Sequence, residues 1–337
     1  MASKSLTRYF IVLTLLIYIG QISIRNNLTN SSESNYNKGL SNDLTFHSSA
    51  LTYEIHTPIL IQNDGDFASY NFSGSGTREN PYLIEGYNIT KHGFLTMAID
   101  ISNTHSFFII THCVIYAEYI GIGLDNVQSG TSIIRNNKFY SLIGDGGAIT
   151  ILNMQNCTIE GNTGTNFMQG IHLNGADNNI IYNNYFYNIN NQGINIRDSN
   201  SNNITYNRIK NSKEHGIALV VGSSNNLLHH NIIEGCAWAN SYNIDGTQYN
   251  IKPTSQGYDD GFNNLWYDPK EKFGNTWSDY FGIGSYQIDG HSNSIDLYPK
   301  HSTGFSPFII IITSISITSG VVVLLLFYRF YIKRKKS

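Results

Sequence analysis

Four polar residues near the middle of the chain share one spacing and could together meet a ligand. His172 and Asn195 lie 23 residues apart, and so do Asn174 and Arg197. An imidazole, two amides and a guanidinium side by side suit the recognition of a hydroxyl-rich molecule such as a sugar. Cleavage asks for more. Glycoside hydrolysis needs two carboxylates ~5–10 Å apart across the bond. Alignment of the repeats puts Asp100, Gly123, Thr150, His172, Asn195 and Ala218 in one outward column. The next column reads Ser102, Asp125, Leu152, Asn174, Arg197 and Val220, so Asp100 and Asp125 fall in different columns. A lyase would want a basic residue beside a cation that neutralises the substrate's carboxylate, and only Arg197 offers itself. No catalytic residue is assigned.

Other reactive types yield less. Trp266 and Trp277 are read mainly as closing residues and, second, as a candidate ligand surface. His229 and His230 are adjacent, which on an extended strand turns the two rings to opposite faces, so no metal ligands are assigned. Cys113, Cys157 and Cys236 are odd in number and far apart with no CxxC, and are read as small buried residues of a stack. No cofactor is expected. Charged residues make up only 13% and the net charge is -3, which excludes a basic nucleic-acid face.

The elements that carry these residues come from a repeat. GIHL at 170–173, GINI at 193–196 and GIAL at 216–219 are spaced by 23 twice, and AITI, GIGL and AIDI extend the series upstream. Between them runs a second motif, I-x-x-N-x-(F/I), at Ile134/Asn137/Phe139, Ile181/Asn184/Phe186, Ile204/Asn207/Ile209 and Leu228/Asn231/Ile233. Ile159/Asn162/Gly164, Ile110/Cys113/Ile115 and Ile84/Tyr87/Ile89 are variants of it. Each unit holds short strands of period two with one buried side. A unit of ~23 residues is too short for two helices and a loop, which leaves a chain winding one turn per repeat. The expected fold is all-β: a right-handed parallel β-helix of about seven coils with a C-terminal transmembrane helix. Asn137, Asn162, Asn184, Asn207 and Asn231 then form a structural column of stacked amides, with Asn also supplying the left-handed backbone of the bend.

The ends set the address. Lys4 and Arg8 precede an apolar run at 9–20, the pattern of a signal peptide or signal anchor within 1–25. Residues 26–51, rich in Asn and Ser, read as a spacer. The β-helix domain is placed at 52–300, with an N-terminal cap at 52–83, coils at 84–239 and a C-terminal cap at 240–300. Residues 308–327 carry no charge and are long enough to span a bilayer, giving an expected membrane helix at 306–328. Arg329, Lys333, Arg334, Lys335 and Lys336 follow it, so the tail at 329–337 is expected in the cytoplasm and the body outside. Six N-x-S/T sequons, at Asn27, Asn30, Asn71, Asn88, Asn156 and Asn203, are compatible with that address.

Three segments carry a family resemblance: NPYLIEGYNIT at 80–90, the NNxIxxNxF coils at 178–186 and 202–209, and an exit block at 258–299. That block reads YDDGFNNLWYD, then GNTWSDYFGIGSYQIDG, then DLYP. On these residues the chain resembles the NosD-type right-handed β-helix proteins, in particular their archaeal cell-surface branch. Many such relatives carry an Asp-rich, calcium-like run after WSDY; here Asp279 is followed by YFGIGSYQ, so no calcium site is implied. The family name also implies copper delivery. The four Met and eleven His are scattered, with no CxxxC or HxH, and do not support it.

Two function classes follow. The first is a non-enzymatic, membrane-anchored surface module for glycans or envelope proteins. The alternative is a polysaccharide-active lyase or hydrolase, with copper maturation a distant third.

Overall fold

The computed structural model describes residues 53–302, apart from 221 and 245. Three parallel sheets of ten, eight and seven strands wind together, giving about nine turns of solenoid. The expected leader, spacer, membrane span and basic tail lie outside the described residues. Among the described residues, no helix is long and apolar enough to cross a membrane.

The count of turns exceeds the expected seven because both expected caps also add rungs to the sheets. Glu54–His56 pairs in parallel with Tyr87–Lys91, and Ile59–Ile61 pairs with Met97–Ser102. A 3-10 helix, Asp64–Tyr70, then seats Phe67 against Tyr82 and Phe108, with ring centroids 4.4 and 5.8 Å away. At the other end, Gly257–Asp259, Thr276–Trp277 and Lys300–His301 continue two of the sheets in parallel. These coils hid in the sequence because insertions between their strands break the 23-residue period. Pairing depends on backbone bonds, which insertions in loops leave intact.

The interior is lined by apolar columns from all three sheets, of which three can be followed rung by rung. One runs Ile84, Ile110, Ile134, Ile159, Ile181, Ile204 and Leu228. Another runs Ile89, Ile115, Phe139, Gly164, Phe186, Ile209, Ile233 and Trp277. The third runs Ile59, Ile99, Ile122, Ile149, Ile171, Ile194, Ile217 and Gly257. The recurring glycine of the GI-x-L motif is explained by close approach. A Cβ on Gly170 would sit 2.7 Å from the Phe186 ring and 2.4 Å from Gly193 O, and one on Gly216 would sit 2.4 Å from Ile233. Interiors packed this closely leave no room for even one methyl.

The amide column is real geometry, but its role in the bend differs from expectation. Asn137, Asn162, Asn184, Asn207 and Asn231 are buried; each of the first four donates Nδ2–H to the next one's Oδ1 at 3.0–3.1 Å, and Asn231 donates to Asn275 at 2.9 Å. The left-handed residue is instead the one before: Asn136, Gly161, Asn183, Tyr206 and His230 all have positive φ. The bend must rotate the chain so that the following amide points inward along the axis. A ladder Asn in the left-handed region would be turned out of line.

A second ladder accompanies it. Asn179, Asn202, Asn226 and Asn264 pass the same bond from coil to coil at 3.0 Å. Cysteines occupy rungs at the start of each: Cys113 N–H donates to Asn137 and Cys157 N–H to Asn179, at 2.9 and 2.8 Å. Cys113, Cys157 and Cys236 are free and buried, as a stacking role requires, and burial pushes all three thiols well above their ordinary pKa.

Candidate functional site

The sheet containing Met97–Ser102 and Gln169–Asn174 turns its outward side chains into the two columns expected from the alignment. Thr150 opposes His172, His172 opposes Asn195, and Asn174 opposes Arg197. Outward residues of neighbouring coils lie ~4.8 Å apart, close enough for one ligand to touch several.

His172, Asn195 and Arg197 line one cleft of about 180 Å³, together with Gln169, Gln192 and Asn243 among others. Asn174 sits beside Arg197 on the next rung and outside the cleft wall. The cleft is bounded on one side by an antiparallel hairpin, Tyr242–Ile244 with Thr247–Tyr249. That hairpin lies over the outward residues Ala218, Val220 and Tyr258, forming a small second core outside the solenoid. Ala218 and Val220 end the polar columns because they are covered. Their apolar character was the available signal for this wall.

The floor is a hydrogen-bond chain. His172 Nδ1 meets Asn195 Oδ1 at 3.2 Å, and Asn195 Nδ2 donates to Gln192 Oε1 at 3.4 Å. Gln192 Nε2 in turn donates to Glu214 and to Asn243 O. Asn243 N–H donates to Glu214 Oε1 at 2.9 Å. Burial holds His172 below its ordinary pKa, assisted by Arg197 and opposed by Asn195, so its ring is neutral at pH 7. Burial pushes the Glu214 carboxyl up to about 7 against the Asn243 bond. Sequence reasoning missed Glu214, which no motif marks. It lies in no strand, and its burial depends on the hairpin.

The nearby carboxylates are engaged. Asp198 pairs with Arg197 at 3.4 Å, and Asp177 accepts Asn200 N–H at 2.7 Å. Asp125 accepts Asn153 Nδ2–H at 2.9 Å, while burial and the charge of Asp125 raise Asp100. Among the described residues, the polar groups the cleft presents are therefore neutral amides, a neutral imidazole and one guanidinium.

The two tryptophans are corrected as ligand candidates. Trp266 and Trp277 have no exposed surface. Their indole N–H groups donate to buried Asp259 and Asp296 at 2.9 and 3.0 Å. Trp277 takes the inward position after Ile233, and Gly257 opposite makes room: a Cβ there would lie 3.1 Å from both indoles. An aromatic ring wide enough to fill the last turn has no face left for a ligand.

The histidine pair is also corrected. His229 ends the strand Leu227–His229, while His230 has φ 59. Alternation of faces holds only while the backbone stays extended, and the left-handed bend brings both rings to one side. Their Nδ1 atoms are 2.6 Å apart.

A family model described as a right-handed beta helix region matches residues 121–252. With the three parallel sheets, this decides the class. The chain is a parallel β-helix repeat protein. No curated protein matches it. Among solved structures, the catalytic domain of a GH87 alpha-1,3-glucanase in complex with nigerose is similar over 74% of this chain, at 13% identity and a TM-score of 0.32. The chain spans about half of that domain, 50% of its length.

Proposed function

We propose that this β-helix protein is a non-enzymatic glycan-binding module, carried outside the cell on a C-terminal membrane anchor and nearest in kind to the NosD-type surface proteins. One observation carries the reading: His172, Asn195, Gln192 and Arg197 line a single outward cleft whose donors and acceptors, among the described residues, are neutral but for one guanidinium. Such a set matches sugar hydroxyls, and Arg197 favours a glycan bearing a carboxylate or other acidic group. The anchor and the outward address rest on the uncharged segment at 308–327 and the basic residues after it.

The alternative, a polysaccharide-active enzyme, has Glu214 in its favour, since a carboxyl near pKa 7 suits proton donation. Against it, Glu214 is buried beneath Gln192 and Asn243 and, among the described residues, faces no second carboxylate across the cleft.

A glycan array probed with the full chain in detergent tests both. The binding reading expects retention of a subset rich in acidic sugars, lost in Arg197→Ala and His172→Ala, with no new reducing or unsaturated ends released. Turnover that disappears in Glu214→Gln would replace it with the enzymatic reading.

A further inference from the structure

On the outer corner of a late coil, away from the cleft, three metal-ligating side chains converge. One ring nitrogen each of His229 and His230 and one carboxylate oxygen of Glu271 lie within 4.8 Å of one another. We propose that His229, His230 and Glu271 bind a single divalent transition-metal ion of the zinc class.

The first argument is the short approach of the two rings. Two imidazole Nδ1 atoms 2.6 Å apart cannot both present lone pairs without repulsion, so a proton or a cation has to be shared between them. A zinc ion ~2.1 Å from each nitrogen at a tetrahedral angle wants them ~3.4 Å apart, a small rotation from the observed pose.

The second argument is preorganisation. The His230 ring is stacked between Tyr206 and Phe273, with centroids at 4.7 and 3.7 Å and near-parallel planes. Its orientation is fixed before any ion arrives. Glu271 is held at the tip of a tight turn: Asp268 and Phe273 exchange backbone bonds, and Asp268 Oδ1 accepts the N–H of Lys270 and Glu271 at 2.7 and 3.1 Å. Glu271 Oε2 then stands 3.7 Å from the other ring nitrogen of His230, Nε2, and its exposed side chain has to swing toward the Nδ1 pair to reach an ion held there.

The same corner in other coils shows what is particular here. The strand position of His229 is filled by Thr111, Arg135, Glu160, Tyr182 and Thr205 in the coils before it. The following left-handed position holds His112, Asn136, Gly161, Asn183 and Tyr206. Only the last of these coils places two imidazoles together, and only there does an inserted turn bring a carboxylate over them. Asp268, Glu271 and Lys300 are the charged groups felt by the pair. Three protein ligands leave a coordination position open, the arrangement of a site that takes a further ligand from solution. This inference is independent of the glycan reading.

The test uses the full chain, without a histidine tag, stripped by chelator and kept in detergent. Zn²⁺ is titrated against a chromophoric competitor, and Co²⁺ binding is followed by visible absorption. One equivalent of Zn²⁺ should bind, and His229→Ala and His230→Phe should each weaken it by about tenfold or more. His230→Phe keeps the ring stack with Tyr206 and Phe273, so its fold, checked by far-ultraviolet circular dichroism, should survive. Glu271→Gln should change the Co²⁺ spectrum, and His172→Ala should leave affinity unchanged. The proposal is overturned if the wild-type chain binds Zn²⁺ no more tightly than the His229→Ala/His230→Phe double variant.

Discussion

The middle coils and the C-terminal end of this solenoid bury polar groups in opposite ways. In the middle, neutral amides suffice. Asn184 accepts from Asn162 below, donates to Asn207 above, and returns its second N–H to Ile159 O at 2.9 Å, so nothing is left over. At the end the series has no next rung. Both ladders then finish on a carboxylate: Asn264 Nδ2 donates to Asp259 at 2.9 Å, and Asn275 N–H donates to Asp296 at 2.6 Å. Each of these aspartates also takes one indole N–H, from Trp266 and Trp277. A ladder of donors passed along a stack must end on something that only accepts. A buried carboxylate, closed over by an aromatic plug, does so at the cost of desolvation, and burial raises Asp296 accordingly.

The comparison can be broken at its costliest point first. Asp296→Ala leaves the Trp277 indole and the Asn275 N–H without an acceptor in the core. We expect a loss of about 4 kcal/mol, read from the urea midpoint by tryptophan fluorescence. A cost of about 1 kcal/mol or less would mean that water or a neighbour can end the ladder. Asn184→Ala interrupts the middle instead, stranding the donors of Asn162. About 3 kcal/mol is expected from the same measurement, with an unchanged m-value if the stack stays one cooperative unit.

Glu214 tests how the hairpin wall is held. Its folded pKa, up to about 7, lies above the unfolded value of 4.5, so the native state binds the extra proton between those limits. Its contribution is therefore fully present below pH 4.5 and is lost as pH rises through about 7. Between pH 5 and 8 the wild type should lose about 2 kcal/mol relative to Glu214→Gln, in paired denaturation curves. Parallel curves would show that the carboxyl is solvated. The smallest effect belongs to the outer face of the middle coils. Arg208 donates to Glu234 at 2.8 and 3.0 Å and lies over the Tyr185 ring, yet it is partly exposed. Arg208→Ala should cost under about 1 kcal/mol, shrinking further in high salt.

Much of this was legible in the residues. The 23-residue period, the GI-x-L glycines and the first amide ladder are local and repeat, so the outward register of His172, Asn195 and Arg197 could be read by alignment. The second ladder was also written, as the leading Asn–Asn of the NNxIxxNxF motif, where Asn178 turns left-handed and Asn179 turns inward. Other features left no period to read. Glu214 owes its burial to a hairpin about 30 residues away, and Glu271 reaches His230 through an inserted turn.

The sequence by itself determined the repeating unit, because period and alternation follow from strand geometry that each coil obeys alone. Only the tertiary structure decided how many coils there are, what closes them, and which side chains meet. Those outcomes depend on pairing across insertions and on the space left at the end of a column. Trp266 and Trp277 are interior rather than binding residues because that space is there, and His229 and His230 face one another because a single left-handed residue reverses the alternation.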